Sequence, residues 1–428
     1  MASDVKHAEA SVSNKMPGTF VQASQRRGGF VKRVLRIIGW AMVPALFALN
    51  GWWFWRDVRP VADLKTASRW IKQGHFADAE WALLEQSRRS PHNSEAQELL
   101  ARIYAQRNDN LNCARTLHKI PTWYPEKGKM LFLEGQAFKT LDRRADAELA
   151  WKALTAMDPL HPMPEEYVNK SVLDLMENYA LEERWDDAHA LLWKAYDQAE
   201  PSVRPRYLIM RMRTELERVQ PARAVQTLRK FVEAVPEDWE AKRALAHAEM
   251  ASAHIPEATR LINQCVIERP GDPRGWCELL TILHDQGDDE GLTEVHKRIP
   301  VATANDPEIM KSRASVLERQ GDWAGAVALY RGMIAARPFN AEYLYRMATA
   351  EERTGLKDEV REHRNRSRTI RAARADLAQS FQSYLDLFRD PKTDPIALGQ
   401  AVKKIATLCE ALGWTREAKA WALLAPAD

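Results

Sequence analysis

Cysteine is scarce in this chain, with four in 428 residues, which excludes a disulfide-built scaffold. A dominant charge is missing too. Lys and Arg number 62 against 59 Asp and Glu, a formal +3, so the chain has no global signature of nucleic-acid binding. The local patterns of enzyme chemistry are also missing. There is no P-loop, no dinucleotide glycine pattern, no H-E-x-x-H, no G-x-S-x-G, and no C-x-x-C with or without a following His. Neither a catalyst nor a cofactor or metal carrier is expected. The eleven histidines are scattered. His284 beside Asp285, and the pair His247 and His254, read as surface or groove residues rather than ligands, because no second ligand stands at metal spacing.

What is there is 45% hydrophobic and 28% charged, a composition that suits a folded globular or solenoid chain. Long apolar runs are absent with one exception. Ile37–Trp55, IIGWAMVPALFALNGWWFW, holds no charge and as a helix would reach about 28 Å, close to a hydrocarbon core of about 30 Å. Trp52, Trp53, Phe54 and Trp55 crowd one end, as an interfacial aromatic belt would. Arg26, Arg27, Lys32, Arg33 and Arg36 precede the run, whereas Arg56 and Arg59 follow it closely. The expectation is a disordered basic tail at 1–33, a single transmembrane helix at 34–56, and a cytoplasmic amino terminus. Residues 56–428 would then lie across the cytoplasmic (inner) membrane. The long basic lead and the bulky exit argue against a cleaved signal peptide.

From residue 60 onward the chain repeats. Pro91, Pro125 and Pro159 are 34 apart, and Pro201, Pro236 and Pro270 follow at 35 and 34. Gly74, Gly287, Gly321, Gly355 and Gly413 form a second ladder, with Ala79, Leu292, Ala326, Val360 and Ala418 five residues later. Ala67, Ala314, Ala348 and Ala406 stand seven places before four of those glycines, and Ala101 and Ala246 share their phase. The physical reading is a helix, a tight turn, a second helix and a proline-stopped corner. The small residues mark where paired helices approach most closely.

This spacing, as in GHFADAEWALLEQSRRSP and GDWAGAVALYRGMIAARP, resembles the tetratricopeptide repeat (TPR). The resemblance implies an all-α fold, a right-handed superhelical solenoid of about ten repeats over 60–428. Units start near 60, 94, 128, 169, 205, 239, 273, 307, 341 and 399, and Met176, Met212 and Leu280 replace the small residue in units four, five and seven. In that family the first helices line a concave groove that holds an extended peptide or a partner helix. Carried onto this chain, the phase places Lys139, Lys170, Arg206, Arg213, Arg243, His247 and Arg274 near the groove, a predominantly basic run that Glu177 and Glu240 interrupt. A basic groove of this kind favours acidic segments or a free carboxylate.

One stretch departs from the pattern. Leu356 to Asp390 holds neither glycine nor proline, so one helix of about 50 Å is expected. Arg361, Arg364, Arg368 and Arg371 lie on one face of it. They form either a docking site for an acidic protein, a polyanion or lipid headgroups, or a solvated face paired with Asp358, Glu359 and Glu362; the solvated face is the expectation. Leu377, Phe381, Tyr384, Leu385 and Phe388 should pack the helix onto 396–424. Cys265 and Cys277 bracket a corner and read as free core residues, with a disulfide as the alternative. Trp185, Trp323 and Trp414 sit in turns, where they serve packing. The chain is similar to bacterial inner-membrane TPR proteins of envelope assembly, periplasmic chaperoning or cytochrome maturation. That likeness implies an adaptor with protein partners and no nucleic acid. The alternative is an accessory subunit of an envelope complex, such as a polysaccharide synthase or a cytochrome maturation system.

Overall fold

Twenty helices and no strand occur among the described residues. The computed structural model describes residues 63–156, 165–217, 219–390, 392 and 394–425. The expected tail at 1–33 and span at 34–56 lie outside them, as does Pro159. No described helix is long and apolar enough to cross a membrane. The chain divides into two compact units, Met1–Ala67 and Ser68–Asp428, and the second is described below.

The helices follow in pairs: α1 (Leu64–Gln73) and α2 (Phe76–Arg89), α3 (Ser94–Gln106) and α4 (Asn110–His118), α5 (Lys127–Thr140) and α6 (Arg144–Thr155), α7 (Glu165–Leu181) and α8 (Trp185–Gln198), α9 (Arg204–Leu216) and α10 (Pro221–Ala234). After these come α11 (Trp239–Ala251) and α12 (Ile255–Glu268), α13 (Pro273–Gln286) and α14 (Asp289–Arg298), α15 (Pro307–Arg319) and α16 (Trp323–Ala336), α17 (Ala341–Thr354) and α18 (Lys357–Arg389), α19 (Pro395–Ala411) and α20 (Thr415–Ala422). Acidic or amide caps start many of them: Asp288 accepts from the Gly291 N–H and Asp322 from the Gly325 N–H, satisfying donors that an open helix end leaves unpaired.

Within a pair, one residue turns into the left-handed region. Gly74, Gly287, Gly321, Gly355 and Gly413 do so at φ between 71° and 86°. Asn108, Asp142, Glu183 and Ala253 occupy the same position in other pairs at φ between 53° and 63°. Short polar side chains tolerate this conformation, whereas alanine has only its Cβ clash. Ala253→Gly should therefore raise stability by roughly 0.5–1 kcal/mol, the relief of crowding less the added entropy of the unfolded chain. A denaturant midpoint at or below that of the parent chain would contradict this.

The small residues sit where the helices close up: Ala79, Ala314, Ala326 and Ala348 are fully buried. In unit three the same place belongs to Gly135, where an added Cβ would run into the indole of Trp151, itself fully buried. All four cysteines are free; Cys277 is half-buried and the others are buried. Burial pushes the Cys265 thiol up to about 12.

Stacking is interrupted once. From α2 to α9 each helix packs on the next, and again from α10 to α20, but α9 and α10 form no hairpin. Unit five has no left-handed residue among its described positions, and Glu217 (ψ 139°) and Gln220 (ψ 129°) are extended. The absence of an α9–α10 hairpin among the described residues interrupts the continuous superhelix expected over 60–428. The runs meet again elsewhere. Helix α20 returns to α9, and Leu181 at the end of α7 joins the core of α10 to α15. The 33-residue α18 buries Ile370, Ala373, Leu377, Phe381, Tyr384 and Leu385 in a core shared with α6 to α9 and α20.

Candidate functional site

The basic residues expected along the groove are mostly engaged with carboxylates. Lys139 Nζ donates to Asp174 Oδ1 at 2.5 Å and to Glu177 Oε2 at 3.0 Å. Burial opposes its charge, yet these bonds hold its pKa above the ordinary lysine value. Arg274 grips Glu240 with both terminal nitrogens at 2.9 Å and also donates to Asp272. Arg243 is 3% exposed. It donates to the Glu182 carbonyl and lies 3.5 Å from Glu278 and 3.9 Å from Glu240. Lys170 pairs with Glu166 at 2.6 Å and Arg213 with Glu217 at 3.4 Å, both on the surface. Arg206 is exposed. The face is thus a lattice of alternating charge: sequence phasing placed the cations and the interrupting Glu177 and Glu240, but not Asp174, Asp272 and Glu278 beside them. Arg243, His247 and Arg274 come together through Glu240 and Glu278; Lys139, Lys170, Arg206 and Arg213 stand apart from that group.

A denser network lies where the α7–α8 turn meets α11 and α13. Arg184 makes a two-pronged bond to Glu148, at 2.6 and 2.9 Å, and reaches Glu182 at 2.9 Å and Asp187 at 2.7 Å. Its guanidinium lies over the Tyr179 ring, 4.6 Å from the centroid. Burial pushes the Glu182 carboxyl up to about 8, against the pull of Arg184. Beside it, ligand-type atoms of Glu183, His247 and Glu278 fall within 4.8 Å of one another, a convergence that sequence spacing had not suggested. The two carboxylates address opposite ring nitrogens, and Arg243 holds a fixed positive charge against Glu278. This arrangement suits a shared proton better than a divalent cation.

Between α3 and α5, the first helices of units two and three, an open cleft of about 350 Å³ has a floor of Ala101, Cys113, Leu117, Met130 and Ala137. Leu133, 40% exposed, stands in it, with Glu98, Arg102 and Lys129 at the rim. The groove phasing overlooked this place because it followed charge; the usable signal was Leu133, an apolar residue off the buried face of α5. On α18, Arg364 pairs with Glu352 at 2.6 Å, Arg368 contacts Asn365 at 3.4 Å and Arg371 lies over Tyr345 at 5.0 Å, while Arg361 is exposed. The described partners of this stripe are thus largely residues of α17. Glu359, expected to pair within α18, instead lies 3.6 Å from Arg331.

Helix hairpins stacked through small residues and left-handed turns define an α-solenoid repeat protein. Residues 303–363 match the family described as tetratricopeptide repeat, and the chain carries repeats of that family. Solved structures similar to it include MamA, 15% identical over 36% of this chain and 91% of that one, with a TM-score of 0.31. The Cut9–Hcn1 hetero-tetramer of APC/C is 12% identical over 84% and 89%, at 0.36. The human IFIT1 dimer with PPP-AAAA is 12% identical over 78% and 91%, at 0.34. No curated protein sequence matches the chain.

Proposed function

We propose that this protein is a non-catalytic adaptor, anchored in the cytoplasmic membrane by Ile37–Trp55, whose helical repeats gather protein partners on the opposite side from its basic tail. The tetratricopeptide repeats support the binding role. The uncharged run and the basic residues before it support the anchor and its direction. The observation that carries the partner site is the α3–α5 cleft. Its floor is apolar and open, whereas most basic residues of the central groove are matched by nearby acids. A segment with an apolar side chain flanked by charge fits it, by desolvating Leu133.

The topology is tested with a reporter active only outside the cytoplasm. Fused after Asp428 it should be active, and fused to a chain ending near Arg33 it should be silent; the reverse pattern refutes the orientation. For the cleft, Leu133→Glu should abolish recovery of partners from gently solubilised membranes, while Arg206→Glu with Arg213→Glu should leave it intact. The opposite result would return the site to the central groove.

A further inference from the structure

The imidazole of His247 lies between two carboxylates that belong to different parts of the chain. Glu183 sits in the α7–α8 turn, in the first run of helices, at a φ of 53°. Glu278 comes from α13, in the second run, and His247 from α11. His247 Nδ1 is 2.9 Å from Glu278 Oε2, and Nε2 is 3.3 Å from Glu183 Oε2. Only the protonated ring carries a hydrogen on both nitrogens. A neutral ring would turn a lone pair toward one of the two acids, and contact would become repulsion. We propose that Glu183, His247 and Glu278 form a proton-operated latch, in which charged His247 ties the α7–α8 turn to α11 and α13 and loss of its proton frees the turn.

The surrounding charges set the strength of the latch. On α11 itself, Arg243 opposes a second positive charge, and Glu240 is held by Arg274 of α13. From α13, Glu278 faces the ring, shared with Arg243. From the turn, Glu183 faces the ring directly, Glu182 accepts through its carbonyl from Arg243, and Arg184 is committed to Glu148 and Asp187. The hydrogen bond to Glu278 is the largest influence and holds the His247 pKa above the ordinary histidine value, with burial and Arg243 acting against it. A raised folded-state value means that the contact is fully present below about pH 6.5 and is lost as pH rises through the folded value. Glu182 acts in the same sense, since it must ionise in a buried site as pH rises. A control for Glu182 is therefore part of the test.

The test uses the full chain in detergent, with histidine rings labelled with ¹⁵N. One ring, absent from His247→Gln, should be protonated on both nitrogens at about pH 6 and titrate above about 6.5. Glu183→Gln, a half-buried and isosteric change, should move that midpoint downward without altering the helical content. Hydrogen exchange, corrected for its intrinsic pH dependence, should show protection of residues 176–184 and 239–251 falling between about pH 6 and pH 9. The fall should shrink markedly in His247→Gln and largely persist in Glu182→Gln. A His247 ring that titrates below about 6.5, a midpoint unmoved by Glu183→Gln, or a fall that survives His247→Gln but vanishes in Glu182→Gln would each overturn the proposal.

Discussion

Arg184→Ala should destabilise the helical repeats by about 3–5 kcal/mol, the effect of removing one member of a buried ion pair. The Arg184 side chain is 8% exposed and its partner Glu148 is 11% exposed. Without the guanidinium, the Glu148 carboxylate would be left in a low-dielectric site with Lys152, bonded to it from the surface, as its described counter-ion. The Tyr179 ring would lose the nearer of its two cations, keeping Lys152 at 5.6 Å. Denaturant unfolding followed by circular dichroism measures the loss. A companion variant, Arg184→Met with Glu148→Gln, removes both charges and should recover a large part of it. A loss below about 1 kcal/mol in Arg184→Ala would mean that the pair behaves as a solvated surface contact.

Trp421→Ala should cost a similar amount, about 3–5 kcal/mol, but its damage should be distributed differently. The indole is fully buried and meets Tyr384 edge-on at 5.0 Å and Phe381 at 6.4 Å. Removing it empties the centre of the packing among α18, α19 and α20. Hydrogen exchange should rise through 377–422 and also in α9, because α20 packs there and Arg211 pairs with Glu417 at 3.0 Å. Helices α2 to α4 should be unchanged, since repeats transmit damage mainly to what they touch. Equal loss of protection in α2 to α4 would show a single cooperative core instead.

The helix pairs were readable from the sequence because glycine at a left-handed turn and alanine at a close crossing leave a periodic trace. The trace faded where other residues did the same work. Asn108 and Asp142 take the left-handed position with side chains that tolerate it, and Glu183 and Ala253 are held there by their surroundings. The break after α9 was only partly legible: Pro221 forces extended backbone on Gln220, but nothing at Glu217 demands the same. Charge along the first helices was half legible. Periodicity located Lys139, Arg243 and Arg274; their partners Asp174, Glu278 and Glu240 stand 35, 35 and 34 residues away on the first helix of an adjacent pair, so the pairing does leave a trace near the repeat spacing, one that following the cations alone did not use. The meeting of His247 with Glu183 was invisible, being set by how two runs of helices come together.

The return of α20 to α9 has a consequence for how this chain can change length. In an open array a whole hairpin can be gained or lost between two others, and each remaining interface is rebuilt identically one step along. Here Arg211 meets Glu417, and Arg416 meets Asp197 across 219 residues, so every hairpin from α10 to α18 contributes to the span of a closed loop. Duplicating or deleting one would carry α20 past its seat on α9 and expose Leu208 and Met212, which share its core. Hairpin number between those two helices is therefore constrained by ring closure, while α2 to α4, outside both the loop and the core it closes on, are free to vary in count.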